Sequence, residues 1–150
     1  MARKIEFDAL REMEGEELGV SEWLLVDQNR VNLFADATGD HQWIHVDVER
    51  ATREIGGPIA HGYLTLSLIP YLAMQTVSVQ GVTRGINYGS NKVRFMNPVK
   101  VGKRVRLRQK LAKVEPRAGG LQLTAECTVE IEGETRPACV AETVAVLFNK

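Results

Sequence analysis

Asp40 and His45 stand five positions apart in the run Ala37-Thr38-Gly39-Asp40-His41-Gln42-Trp43-Ile44-His45. A carboxylate and an imidazole at that spacing can share proton transfer at one substrate, because the first is anionic at neutral pH and the second changes charge near it. Gly39 admits a backbone conformation that other residues avoid, so the run is expected to be a tight, non-helical segment holding both groups at the mouth of a pocket. The plainer readings are a turn or helix cap for Asp40 and a satisfied structural imidazole for His45. Residue types and spacing leave both open.

The elements that must position the pair lie on either side. Trp23-Leu24-Leu25-Val26 reads as a first strand, Asp27 as an N-cap, and Val31, Phe34 and Ala35 recur at helical spacing up to a stop at Thr38-Gly39. Asp47 can cap a second short helix through Ile55, which Gly56-Gly57-Pro58 ends. The segment Ile59 to Met74 is apolar almost all round, which predicts a buried helix, bent where Pro70 withholds an amide from Leu66. After Gly81 the pattern alternates with period two in Lys92–Met96, Val101–Val114, Leu121–Ile131 and Val140–Phe148, with turn signals at Asn97-Pro98, Gly119-Gly120 and Gly133. One buried helix and four or five long antiparallel strands predict an α+β fold in which the sheet wraps around the helix, the hot-dog architecture. Its open edge strand predicts a homodimer.

Composition narrows the function classes. A chain of 150 residues, 44% hydrophobic and 25% charged, is read as one domain over residues 1–150. Nineteen basic residues balance nineteen acidic ones, so no net field would draw it to nucleic acid or an anionic membrane. The acidic N-terminus lacks the apolar core of a signal peptide, and no run of about 18 apolar residues could span a bilayer, so a cytoplasmic protein is expected. Cys127 and Cys139 fall in strand-like segments and read as free, buried thiols. Arg104, Arg106, Arg108 and Lys110 share one face of a strand, either a solvated row or a surface for the phosphates of coenzyme A.

Phe34-Ala35-Asp36-Ala37-Thr38-Gly39-Asp40 through His45, followed by Ile59-Ala60-His61-Gly62-Tyr63-Leu64, resembles the MaoC-like (R)-specific enoyl-CoA hydratases, and within them the NodN-like branch. Val93-Arg94-Phe95-Met96-Asn97-Pro98-Val99 with Gly102 is similar to the same family's sheet, so the resemblance covers most of the chain. It implies that Asp40 and His45 are the catalytic pair and that the Gly62 backbone amide receives charge on the thioester oxygen. Gln42-Trp43 stands where the family commonly has Asn-Pro, and Gln42, Trp43 and Tyr63 are expected to contact substrate. His41 and His61 fall outside the expected catalytic set, His61 serving to orient the turn into the helix. The implied reaction interconverts a trans-2-enoyl-CoA and the (R)-3-hydroxyacyl-CoA, with an acyl carrier protein as the other thioester carrier. No metal or redox cofactor is called for, coenzyme A being part of the substrate. A hot-dog acyl-CoA thioesterase and a noncatalytic acyl-CoA-binding module are the alternatives.

Overall fold

The structure is a computed structural model describing residues 1–150. Short elements come first: β1 (Arg3–Glu6), a 3-10 helix (Phe7–Met13), β2 (Glu17–Val20) and β3 (Leu24–Leu25). The helices α1 (Gln28–Thr38), α2 (Trp43–Val46), α3 (Val48–Ile55), α4 (Gly62–Ser67) and α5 (Ile69–Thr76) follow. After β4 (Val77–Gln80) come four long strands, β5 (Arg84–Phe95), β6 (Arg104–Arg117), β7 (Gly120–Ile131) and β8 (Cys139–Phe148).

The main sheet is antiparallel in the order β2-β6-β7-β8-β5, with β3 also pairing β6, while β1 and β4 form a separate parallel pair. This is the hot-dog arrangement expected from the alternating strands. β5 pairs β8 rather than β6, its neighbour in sequence, so residues 96–103 pass the two strands between. That crossing carries the buried Val99 and bridges Ile59 through Lys100, which brings it against the chain just before α4.

Local chemistry sets the helix boundaries. The Asp27 carboxylate accepts the Arg30 amide at 2.9 Å, and Gly39, at φ +85°, closes α1 by giving its amide to Ala35. Asp47 caps α3 in the same way through Arg50 at 3.0 Å. The bend or irregular turn expected at Pro70 falls at Leu68, a single turn residue with helical dihedrals between α4 and α5, and Pro70 sits in the first turn of α5, where a missing amide is tolerated.

Leu64, Leu68, Ile69 and Leu72 pack from these helices onto Leu107, Cys127, Val129, Cys139 and Ala141 of the sheet. A second apolar cluster joins Ile5, Phe7, Leu10, Met13 and Leu18 to Leu111 and Val114. Burial all round the helical segment, expected from its composition, does not hold within one chain: Tyr63, Tyr71 and Met74 are 68%, 50% and 65% exposed. Nearly all of β5 is exposed as well. No helix is long and apolar enough to cross a membrane.

Candidate active site

Gly39 turns the chain out of α1, and Asp40 follows at the surface. The Asp40 carboxylate accepts the Gln42 amide at 3.3 Å, an interaction that curls the loop toward α2. Part of the run expected to be non-helical is therefore helical: residues 37 and 38 finish α1, and His45 lies in the single turn α2. That turn is stitched on several sides. The His45 carbonyl accepts Gln28 Nε2 at 2.8 Å, and the Ile44 carbonyl accepts the Ile59 amide at 3.0 Å.

His45 is 7% exposed, with Nδ1 2.6 Å from the Ile59 carbonyl oxygen. A carbonyl can only accept, so Nδ1 carries a proton, and in the neutral tautomer that this bond selects, Nε2 holds the lone pair. His61, at the N-cap of α4, directs Nε2 to the Asp40 carbonyl oxygen at 2.9 Å. The two imidazoles stack with centroids 3.8 Å apart and planes at 23°, and Phe34 tilts onto His61 at 4.8 Å.

Side-chain donor atoms of Asp40, His45 and His61 lie within 4.8 Å of one another. By distance the three could hold a cation. The stacking opposes it: lone pairs of an imidazole lie in the ring plane, so two nearly parallel rings direct theirs side by side rather than at one ion. A proton-transfer site fits the arrangement better than a metal centre.

His45 and Gly62 line a cavity of about 270 Å³ together with Thr65, Phe95, Asn97 and Val99. The crossing after β5 supplies the wall opposite α4. Gly62 opens α4, where an amide has no carbonyl one turn earlier within the helix to bond, so its N–H is free for a ligand. A Cβ there would come 3.1 Å from the Phe95 ring, so any larger residue would need that ring to give by a few tenths of an ångström.

The structure brings Asp40 beside His45 and brings His45 and Gly62 to one cavity whose wall does not include Asp40; Gln42, Trp43 and Tyr63 also lie outside that wall. Trp43 places its ring under the Arg50 guanidinium, 4.1 Å from the centroid, and Arg50 also pairs Glu54. Residues two apart on a helical turn diverge by about 200°, so directing His45 inward sends Trp43 outward. Gln42 is exposed and acts through its backbone, and Tyr63 meets Phe95 edge-on at 5.7 Å. Within one chain none of the three lines the cavity. His41 pairs Asp36 at 2.9 Å in solvent, and that hydrogen bond raises its pKa above the usual imidazole value. Thr65, Phe95 and Asn97 carried no signal of a site. Thr65 follows Gly62 by three residues on one helix face, but the other two reach the cavity only through the crossing.

The basic row on β6 is largely matched to carboxylates. Arg104 pairs Glu132, Arg106 pairs Glu130 at 2.7 Å, and Arg108 reaches both Glu17 at 2.8 Å and Glu130. That is the solvated face rather than a surface waiting for phosphates. Cys127 and Cys139 are buried free thiols, and burial pushes the Cys139 thiol up to about 11, which argues against a thiolate nucleophile.

Residues 10–132 match the family model described as a MaoC like domain. A 3-hydroxyacyl-thioester dehydratase Z of Mycobacterium tuberculosis is 55% identical over 132 residues, covering 87% of each chain. Nodulation protein N of Rhizobium leguminosarum bv. viciae is 50% identical over 137 residues, 89% of this chain and 85% of that one. A solved structure described as a monoamine oxidase regulatory protein from Archaeoglobus fulgidus superposes with a TM-score of 0.76 at 26% identity, covering 100% of this chain and 99% of the other.

Proposed function

The chain belongs to the MaoC-like dehydratase family, and from that premise we propose that it is an (R)-specific hydro-lyase interconverting trans-2-enoyl thioesters and (R)-3-hydroxyacyl thioesters. The carrier is coenzyme A, with an acyl carrier protein as the second candidate. The observation that carries the reading is an Asp40 carboxylate within 4.8 Å of a ring nitrogen of His45, which lines one cavity with Gly62. The name of the 55% identical relative, a 3-hydroxyacyl-thioester dehydratase, supports the same reaction class.

Hydration needs a proton removed from water as its oxygen bonds C3, a proton delivered to C2, and a donor for the enolate-like oxygen between those events. Asp40 and His45 hold one water between them and share the proton's removal and return. The Gly62 amide receives the thioester oxygen as its charge grows. Dehydration is the same path reversed: the C2 proton and the C3 hydroxyl leave together as water. No group outside the side chains, the amide and the substrate is called on.

The acyl tail has room along the seam between helix and sheet. A cavity of about 440 Å³ lies there, with Leu66, Ser67 and Ala73 on the helix side and Gln109 and Thr143 on the sheet side. We take the working enzyme to be a cytoplasmic homodimer, each protomer one domain over residues 1–150. Purified protein given crotonyl-CoA tests the reading by its product. A 3-hydroxybutyryl thioester is expected. Free coenzyme A would indicate a thioesterase, and tight binding with neither product would indicate a binding module; either outcome sinks the hydro-lyase assignment.

A further inference from the structure

We propose that His61 is a positioning residue for this reaction, tying down the main chain of Asp40 and backing the ring of His45 without exchanging a proton with substrate. The inference rests on the hydro-lyase reading and extends it to a residue that does not line the cavity.

His61 holds the N-cap position of α4, where serine, threonine, aspartate or asparagine would bond a free amide of the first turn. It makes no such cap. Its Nε2 instead crosses 21 positions of sequence to the Asp40 carbonyl at 2.9 Å. That commits Nε2 as the donor and leaves Nδ1 a bare acceptor, buried and without a partner. An unpaired buried acceptor carries a free-energy cost and calls for an explanation. The tether to Asp40 supplies one.

The ring does a second task. His45 is fixed at its edge by the Ile59 carbonyl and on its face by His61, 3.8 Å away. One residue, 3% exposed and in contact with Phe34, therefore touches both members of the proposed catalytic pair. Their relative placement passes through it. A misplacement of about 1 Å at reacting groups can cost on the order of 100-fold in rate, so losing this link should appear in kcat rather than in binding.

Two substitutions separate the tasks: His61→Phe keeps a flat ring against His45 but has no N–H, and His61→Gln keeps an amide donor at similar reach but has no ring. Steady-state kinetics with crotonyl-CoA are expected to show kcat lowered about tenfold or more in His61→Phe with KM within about twofold, and partly recovered in His61→Gln. A folded His61→Phe with kcat within about twofold of wild type overturns the proposal, as does a loss confined to KM or a glutamine variant no better than phenylalanine. Amide hydrogen exchange at Gln42 and His45, measured without substrate, reads the tether directly. Exchange should quicken in His61→Phe, or in His61→Ala if the phenylalanine variant does not fold, and stay near wild type in His61→Gln; unchanged exchange in the variants lacking the donor overturns it. Wild-type turnover is recorded first, so an inactive wild type counts against the hydro-lyase reading while exchange still decides on the tether.

Discussion

His45 donates Nδ1–H to the Ile59 carbonyl oxygen at 2.6 Å, which leaves Nε2 as the nitrogen able to take a proton. The bond sets the tautomer from outside the reaction, and the Asp40 carboxylate lies within 4.8 Å of a ring nitrogen of His45. Asp40→Asn and His45→Gln should each lower hydration of crotonyl-CoA by about 10²–10⁴-fold, the usual worth of positioned proton transfer. Circular dichroism should report a retained fold. Near-normal initial rates in either folded variant would reject the pair as the main machinery.

Gly62 lines the cavity, where its amide is the proposed donor to the thioester oxygen, and it leaves a surface against which Phe95 can pack. A single substitution can tell the two roles apart. Gly62→Ala leaves the amide and inserts a Cβ 3.1 Å from the Phe95 ring, which is 47% exposed and can shift by a few tenths of an ångström. Its rate loss should stay well short of the ~10²–10³-fold expected when an oxyanion donor is removed, and Gly62→Ala with Phe95→Leu should recover most of it. If the double variant is as slow as the single one, crowding by Phe95 is the wrong account.

Trp43 stacks on Arg50 and points away from the cavity, so its size should not sort acyl chains. Trp43→Ala should lower stability by about 1 kcal/mol, within the range of an exposed cation–π contact with some lost packing, and leave the ranking of enoyl-CoA chain lengths unchanged. Thermal denaturation and a short chain-length series decide the matter. A shift toward longer or bulkier groups would show that the ring reaches substrate in the assembled enzyme.

An exposed β5 at the end of the sheet offers unpaired backbone groups along twelve residues, Arg84–Phe95, and it carries Ile86 and Tyr88 at 49% and 58% exposure. Covering such an edge with a second copy would remove an aggregation hazard and also shelter apolar helix residues such as Met74. Sedimentation at micromolar concentration should find a dimer, and Ile86→Asp should shift it toward monomer with loss of turnover. A strictly monomeric protein with full activity would defeat the interface.

Signals that lie within a few residues of one another were legible in the chain. Asp27 and Gly39 bound α1, Asp47 opens α3, and the alternating runs became most of β6, β7 and β8 because each is encoded by local chemistry, whereas Lys92–Met96 marked only the end of β5. Contacts made by tertiary closure were not. The pairing of β5 with β8, the cavity wall after β5 and the reach of His61 to Asp40 join residues far apart in sequence. The direction of Trp43 was hidden for a different reason: α2 has four residues, too few for a periodic pattern to reveal which side faces inward. The turn expected at Gly119-Gly120 lies one position earlier: Ala118 and Gly119, both at positive φ, make the hairpin, and Gly120 is the first residue of β7, where a Cβ would lie 2.3 Å from the Leu147 carbonyl oxygen.

Stereochemistry offers the sharpest test of the proposed geometry. His45, with Asp40 beside it, reaches the cavity from the chain between α1 and α3, and Gly62 lines it at the start of α4. If the thioester oxygen rests on the Gly62 amide, the planar enoyl group can turn only one face toward water held by the pair, because oxygen, alkene and water are fixed together. The (R) specificity that the family resemblance implies makes the expected product of hydration the (R)-3-hydroxyacyl thioester. Chiral separation after hydrolysis of the product would show it. A predominance of the (S) form would mean that water arrives on the opposite face, and the shared placement of Asp40, His45 and Gly62 around one thioester would then fail even with hydratase activity established.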